Sequence, residues 1–237
     1  MRPNLAVHFP TRPSRARRAG RHIALTLISA GLLFAVAGAR AQFGAPATTP
    51  VHDPSALKPP PGARVAIIEF ADMECPECAE TNPTLMEAAA KYDIPWVRHD
   101  FPLPYHVWSV QAAVNARFFD TKSEKLGNDY RDYIFANQTS IYTLDQLRQF
   151  TEKFAASHGV AVPFAIDPMG KFSAEVKADQ ALGQRIGIEH TPTIWIVTNG
   201  AHGAPPYTEV VDHSKLFQMI DQALAQTRPT TARTAHR

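Results

Sequence analysis

The chain has 237 residues, 45% of them hydrophobic, with 24 Lys and Arg against 22 Asp and Glu, two cysteines and a formal net charge of +2. That balance hides an asymmetry: residues 1–41 carry seven arginines and no acidic residue, and without them the rest holds 17 basic against 22 acidic residues, a net charge of −5. The remainder is long enough for one domain with a sizeable core, and it lacks the clustered Lys and Arg that nucleic-acid binding requires.

The basic start is followed by an apolar run, Ile23 to Gly38, and then by Ala39-Arg40-Ala41. That order is the pattern of a secretory signal peptide with an A-x-A cleavage site. The run has 16 residues, short against the roughly 20 that a bilayer span needs. Cleavage near Gln42 and a periplasmic location are expected, and a retained membrane anchor is the alternative. Export into an oxidising space permits a disulfide between Cys75 and Cys78.

Residues 42–62, rich in Pro, Ala and Thr, read as a linker or loosely attached arm. Arg64 to Phe70, "RVAIIEF", has the continuous apolar character of a buried central strand. A helix is expected from Pro76 to Tyr92, kinked at Pro83, and a second strand from Ile94 to His99. Strand, helix and strand at this spacing make a βαβ unit with parallel strands. From Trp108 to Ile186 the pattern is almost entirely helical. Thr143 and Gln146 form a capping box there, and Gly159 and Gly187 stop two of the helices. Strand character returns at Thr193 to Thr198 and at Tyr207 to Val211. An amphipathic helix from Ser214 to Ala225 and a disordered tail complete the chain.

Both cysteines lie in "DMECPEC", Asp72 to Cys78. Cys75 falls at a helix N-terminus, where unpaired N–H groups and the helix dipole stabilise an anion. Cys78, one turn on, faces inward as the resolving thiol. Pro76 suits the first turn, where its missing N–H costs nothing. Two other readings exist. A structural disulfide closing so small a loop would remove little chain entropy. Half a zinc site would need two more ligands, and neither a second Cys pair nor an H-x₃₋₅-H spacing is present. No metal and no organic cofactor are expected.

"EFADMECPEC", the distant "TPT" at Thr191 to Thr193 and "FPLPYHVWSVQAAVNA" at Phe101 to Ala116 together resemble the DsbA-like thiol:disulfide oxidoreductases of the thioredoxin superfamily. The resemblance covers Val65 to Ala225. It implies an α/β thioredoxin fold, a central mixed sheet flanked by helices, with residues 63–104 and 187–226 as the thioredoxin-like part. Residues 105–186 would be an inserted helical domain and 227–237 the tail. It implies Cys75 as nucleophile, Cys78 as buried partner, Pro192 as a cis-proline facing the pair, and Thr191 beside it presenting backbone to a substrate peptide. A cis bond is cheap only before proline, although proline also simply begins strands. Glu69 would be the buried acid that relays a proton for Cys78; a solvated Glu at a strand edge is the alternative.

One departure concerns tuning. Strong oxidases of this family carry His before the second cysteine, where this chain has Glu77, with Glu74 close by. Carboxylates oppose a thiolate and make the disulfide less oxidising. A Cys75 pKa above that of the strong oxidases is therefore expected, with a potential near that of protein disulfide isomerase, about −180 mV, or lower. His190, next to Thr191, is a candidate for compensation. His106 has no partner that spacing can name. The expected partners are protein or peptide thiols and disulfides, together with a membrane redox protein, and no nucleic acid. The reading from a different class is a non-catalytic periplasmic module that binds peptides and contains a structural disulfide.

Overall fold

The computed structural model describes residues 48–229. The expected leader and the end of the tail, residues 230–237, lie outside the described residues. Four strands and six helices follow one another as β1 (Val65–Ala71), α1 (Pro76–Tyr92), β2 (Trp96–Asp100), α2 (Ser109–Asp120), α3 (Glu124–Asn137), α4 (Leu144–Ser157), α5 (Lys171–Ile186), β3 (Thr193–Thr198), β4 (Tyr207–Glu209) and α6 (Leu216–Gln226). The sheet order is β2-β1-β3-β4. β1 runs parallel to β2 and antiparallel to β3, which runs antiparallel to β4. This is the thioredoxin arrangement, with four consecutive helices between β2 and β3.

The two faces of β1 follow from the strand period of two. Ala66, Ile68 and Phe70 point to one side, where they meet Leu57, Phe101, Ile186 and Trp195. Val65 and Ile67 point to the other, packing with Leu85 and Ala88 of α1 and Leu216 and Ile220 of α6. Burial on both faces explains the unbroken apolar run. It also places Glu69, in phase with Val65 and Ile67, on the α1 side of the sheet.

The helices between β2 and β3 close over a third apolar cluster, built on Trp108, Phe119, Tyr130 and Phe154 and reaching Cys75 and Cys78. An ionic joint ties this layer to the end of β2. The Arg131 guanidinium donates to Asp100 Oδ1 and Oδ2 at 3.0 and 2.8 Å and to Asp120 Oδ1 and Oδ2 at 3.0 Å each. Arg117 reaches Asp100 at 2.9 Å and pairs with Asp179.

The proline-rich stretch differs from expectation. Residues 48–62 pack onto the body: Leu57 is 2% exposed, Thr49 donates from its N–H and its hydroxyl to the Glu209 carboxylate at 2.6 and 2.7 Å, and His52 N donates to Ile186 O. One buried leucine recovers about 1.5–3 kcal/mol, and prolines, already restricted when unfolded, lose less entropy on ordering. Composition alone does not register such an anchor. The tail likewise begins later than expected, since Thr227 is buried and its carbonyl accepts from Arg64 Nη1.

Gly187 joins this arm to the helical layer. It ends α5 with φ 108°, and a Cβ there would lie 2.5 Å from the Pro50 carbonyl oxygen. Gly187→Ala combines left-handed strain with displacement of the arm and is expected to destabilise the fold by about 2 kcal/mol or more. Urea unfolding measures it; a loss within 0.5 kcal/mol, roughly that of an ordinary surface change, would show that the arm is not held there.

Candidate functional site

The site forms where β1 hands over to α1. Asp72, Met73 and Glu74 make the turn, and Cys75 is the N-cap of α1 with extended backbone and no side-chain cap. Pro76 starts the helix and Cys78 sits one turn on. Cys75 keeps 8% of its surface whereas Cys78 keeps none, so Cys75 is the more accessible of the two. Both are free thiols.

Across from them the Thr191–Pro192 peptide bond is cis. As a thiol, Cys75 donates its Sγ–H to the Thr191 carbonyl at 3.3 Å. The chain thus brings Cys75, Cys78, Thr191 and Pro192 together from segments over a hundred residues apart.

The two thiols are driven apart in acidity. The Cys75 pKa is held down to about 6, chiefly by a hydrogen bond from the Cys78 thiol. Burial works against this, while the Thr191 hydroxyl and the N–H groups of Cys78 and Glu77 assist it. The hydroxyl makes no hydrogen bond of good geometry, so its influence is that of a nearby dipole. Burial, and then the Cys75 sulfur, push the Cys78 thiol well up. Alkylation of the reduced protein by iodoacetamide is therefore expected at Cys75 alone. Its rate should rise about tenfold per pH unit below pH 6 and level off above about 7, because only the thiolate reacts. A midpoint near 8.5, that of a free thiol, would contradict this.

Glu69 is fully buried on β1. Its Oε2 accepts from Trp96 Nε1 at 3.0 Å and lies 3.8 Å from Arg98 Nε. Its other oxygen has no partner. Burial raises its pKa to about 7, against the pull of Arg98, and its charge is among the influences raising Cys78. Arg98 is itself fixed by Asn82 of α1 and Asp132 of α3, at 2.8 and 2.7 Å, and lies over the Trp96 ring.

The acids around the cysteines occupy different settings. Asp72 and Glu74 are engaged by backbone N–H groups, the latter capping α2 by accepting from Trp108 N and Ser109 N at 2.6 and 3.0 Å. Glu77 is exposed in the first turn of α1, where water screens it. His190 is exposed, and its carbonyl accepts from the Thr193 hydroxyl. Its ring hydrogen-bonds to no described side chain. Sequence reasoning did not single out Gln138, whose amide donates to the carbonyls of Met73 and Cys75 at 2.9 Å each. A glutamine 63 residues beyond Cys75, in a helical block, carries no signal of such a contact. Among the described residues no group of three or more His, Cys, Asp or Glu is placed to hold a metal ion.

A thioredoxin family model matches residues 60–213. The chain belongs to the thioredoxin family, and its fold is that of the DsbA-like members. It superposes on α-DsbA1 of Wolbachia pipientis with a TM-score of 0.55 at 18% identity, covering 72% of this chain and 93% of that one. The thiol-disulfide exchange protein α-DsbA2 of the same organism gives 0.53 at 15%, covering 70% and 84%. A periplasmic thioredoxin-like protein of Salmonella enterica serovar Typhimurium gives 0.54 at 18%, covering 68% and 84%. At these identities the likeness concerns the fold. No curated protein matches the sequence.

Proposed function

We propose that this protein is an exported thiol:disulfide oxidoreductase that exchanges disulfides with protein substrates through Cys75 and Cys78. The observation that carries the reading is one dithiol with divided roles: a partly open, acidified sulfur at a helix N-terminus, backed by a buried, weakly acidic one and faced by the Thr191–Pro192 loop. In the oxidising direction a substrate thiolate attacks Cys75 Sγ of the Cys75–Cys78 disulfide. The intramolecular S–S bond breaks, Cys78 leaves and takes up a proton, and a mixed disulfide forms. A second substrate thiolate then attacks the substrate sulfur of that bond and expels Cys75 as a thiolate. Two electrons pass from the substrate dithiol to the cysteine pair. The reverse sequence reduces a substrate disulfide, with Cys78 resolving the mixed species.

Glu69, buried on the Cys78 side with one unpartnered oxygen, is the base or acid that handles the Cys78 proton. Thr191 and Pro192 present backbone to the substrate, as β-strand addition does elsewhere. A Cys75 pKa near 6 lies between the values of about 3.5 and 7 for strongly oxidising and reducing members. A potential between about −120 and −270 mV is expected accordingly. The periplasm is the proposed location, with a membrane redox protein resetting the pair; among the described residues no helix is long and apolar enough to cross a membrane.

Cys78→Ala tests the reading, because it removes the resolving thiol and leaves the attacking one. Expressed in a cell envelope, this variant should accumulate mixed disulfides with client proteins through Cys75, visible as reductant-sensitive bands. The absence of any adduct would defeat the proposal.

A further inference from the structure

We propose that His106 is a positioning residue for the redox pair: with Asp72 it locks the turn from Asp72 to Cys75 and so holds the Cys75 sulfur at the end of α1. The inference deepens the function proposed above and rests on it.

Asp72 is the node of that turn. It is 1% exposed, and its side chain meets three partners. Oδ1 accepts from Glu74 N at 2.7 Å, and Oδ2 accepts from Leu103 N at 2.6 Å and lies 2.6 Å from His106 Nδ1. Its carbonyl accepts from Cys75 N at 3.0 Å. Facing a carboxylate, Nδ1 must carry the ring hydrogen. The His106 side chain is 16% exposed. It is fixed from its own loop by a hydrogen bond from its N–H to Leu103 O and by the Tyr105 ring, edge-on at 4.8 Å. No step of the disulfide exchange uses it.

The loop carrying His106 is anchored on both sides. Phe101 N donates to Ala71 O at 2.7 Å, and Trp108 begins the helix that Glu74 caps. A buried carboxylate with too few donors is costly, and its pKa rises. Burial already pushes the Asp72 carboxyl up, opposed by the N–H groups of Leu103 and Glu74 and by His106. Loss of the imidazole donor loosens the turn that sets Cys75 against the helix N–H groups, because Asp72 then holds only the N–H groups of Glu74 and Leu103.

The test uses the reduced full-length protein and three variants. His106→Asn puts an amide N–H where Nδ1 stands. His106→Gln puts it one bond farther out, near the Nε2 position, and His106→Ala supplies none. Thiolate absorbance at 240 nm against pH reports the Cys75 titration, with circular dichroism as the fold control. The Ala and Gln variants should move the midpoint upward, so that alkylation at pH 6 slows by about five- to tenfold, and the Asn variant should stay within about twofold of the parent. An unchanged midpoint in a folded Gln variant, or equal shifts in Asn and Gln, would overturn the proposal. The second result would mean that ring packing, not the Nδ1 hydrogen bond, matters. If the Ala variant does not fold, the Asn and Gln pair decides alone. The readout needs no protein substrate: a chain that forms no client adducts yet shows these shifts would refute the oxidoreductase reading and keep this one.

Discussion

Cys75→Ser is expected to abolish catalysis of insulin reduction, lowering the rate by on the order of 10³-fold or more, since a serine hydroxyl without an activating base is a poor nucleophile. The fold should not suffer. Cys75 is the N-cap of α1, has extended backbone and leaves the cap unfilled, and serine is among the residues preferred there. The unfolding midpoint should therefore hold or rise slightly. That combination separates the oxidoreductase from a peptide-binding module with a structural disulfide, which would keep its effect on refolding clients without Cys75. Retained catalysis in the variant would remove the sulfur from the mechanism.

Much of this site is legible along the chain because its parts are local. The apolar run of β1 and the phase of Glu69 follow from a period of two. The position of Cys75 before Pro76 follows from helix-start rules, and Thr191–Pro192 before an apolar strand follows from proline chemistry together with the family resemblance. The contacts that qualify the electrostatics are long-range. Read along the chain, Asp72 and Glu74 are simply carboxylates beside a thiol, expected to oppose its ionisation. In three dimensions they are consumed by N–H groups of residues 103, 108 and 109 and by the ring of His106, about thirty positions away. Glu77, the acid closest to the second cysteine, faces water. The same limit hid the anchoring of residues 48–62, where a single Leu57 and the Thr49–Glu209 contact outweigh a composition that reads as linker.

The second large effect concerns the joint under the site. Arg131 and Asp100 are 4% and 5% exposed, and Arg131 bridges Asp100 to Asp120 with four hydrogen bonds. Removing one partner of a buried pair leaves an uncompensated charge, at a cost of about 3–5 kcal/mol. Arg117 still reaches Asp100 and Asp120 is partly solvated, so Arg131→Met should fall near 3 kcal/mol. That corresponds to a drop of about 6–12 °C in the thermal midpoint. Arg131→Lys should recover little of it, because an ammonium cannot make the two-pronged contact. The pH dependence carries its own signature. Burial would raise the Asp100 pKa, but Arg131 more than offsets this, and the group titrates below its usual value. A depressed carboxyl stabilises the fold above the unfolded pKa of about 3.9, and that contribution fades as pH falls toward the folded value. The parent should thus lose stability below about pH 4 more steeply than the methionine variant. Asp100 ends β2 immediately before the segment that binds Ala71 and Asp72, so a slackened joint should also raise the Cys75 titration midpoint. A loss under about 1 kcal/mol, the range of an exposed ion pair, would show that Arg117 alone satisfies Asp100 and that the joint is redundant.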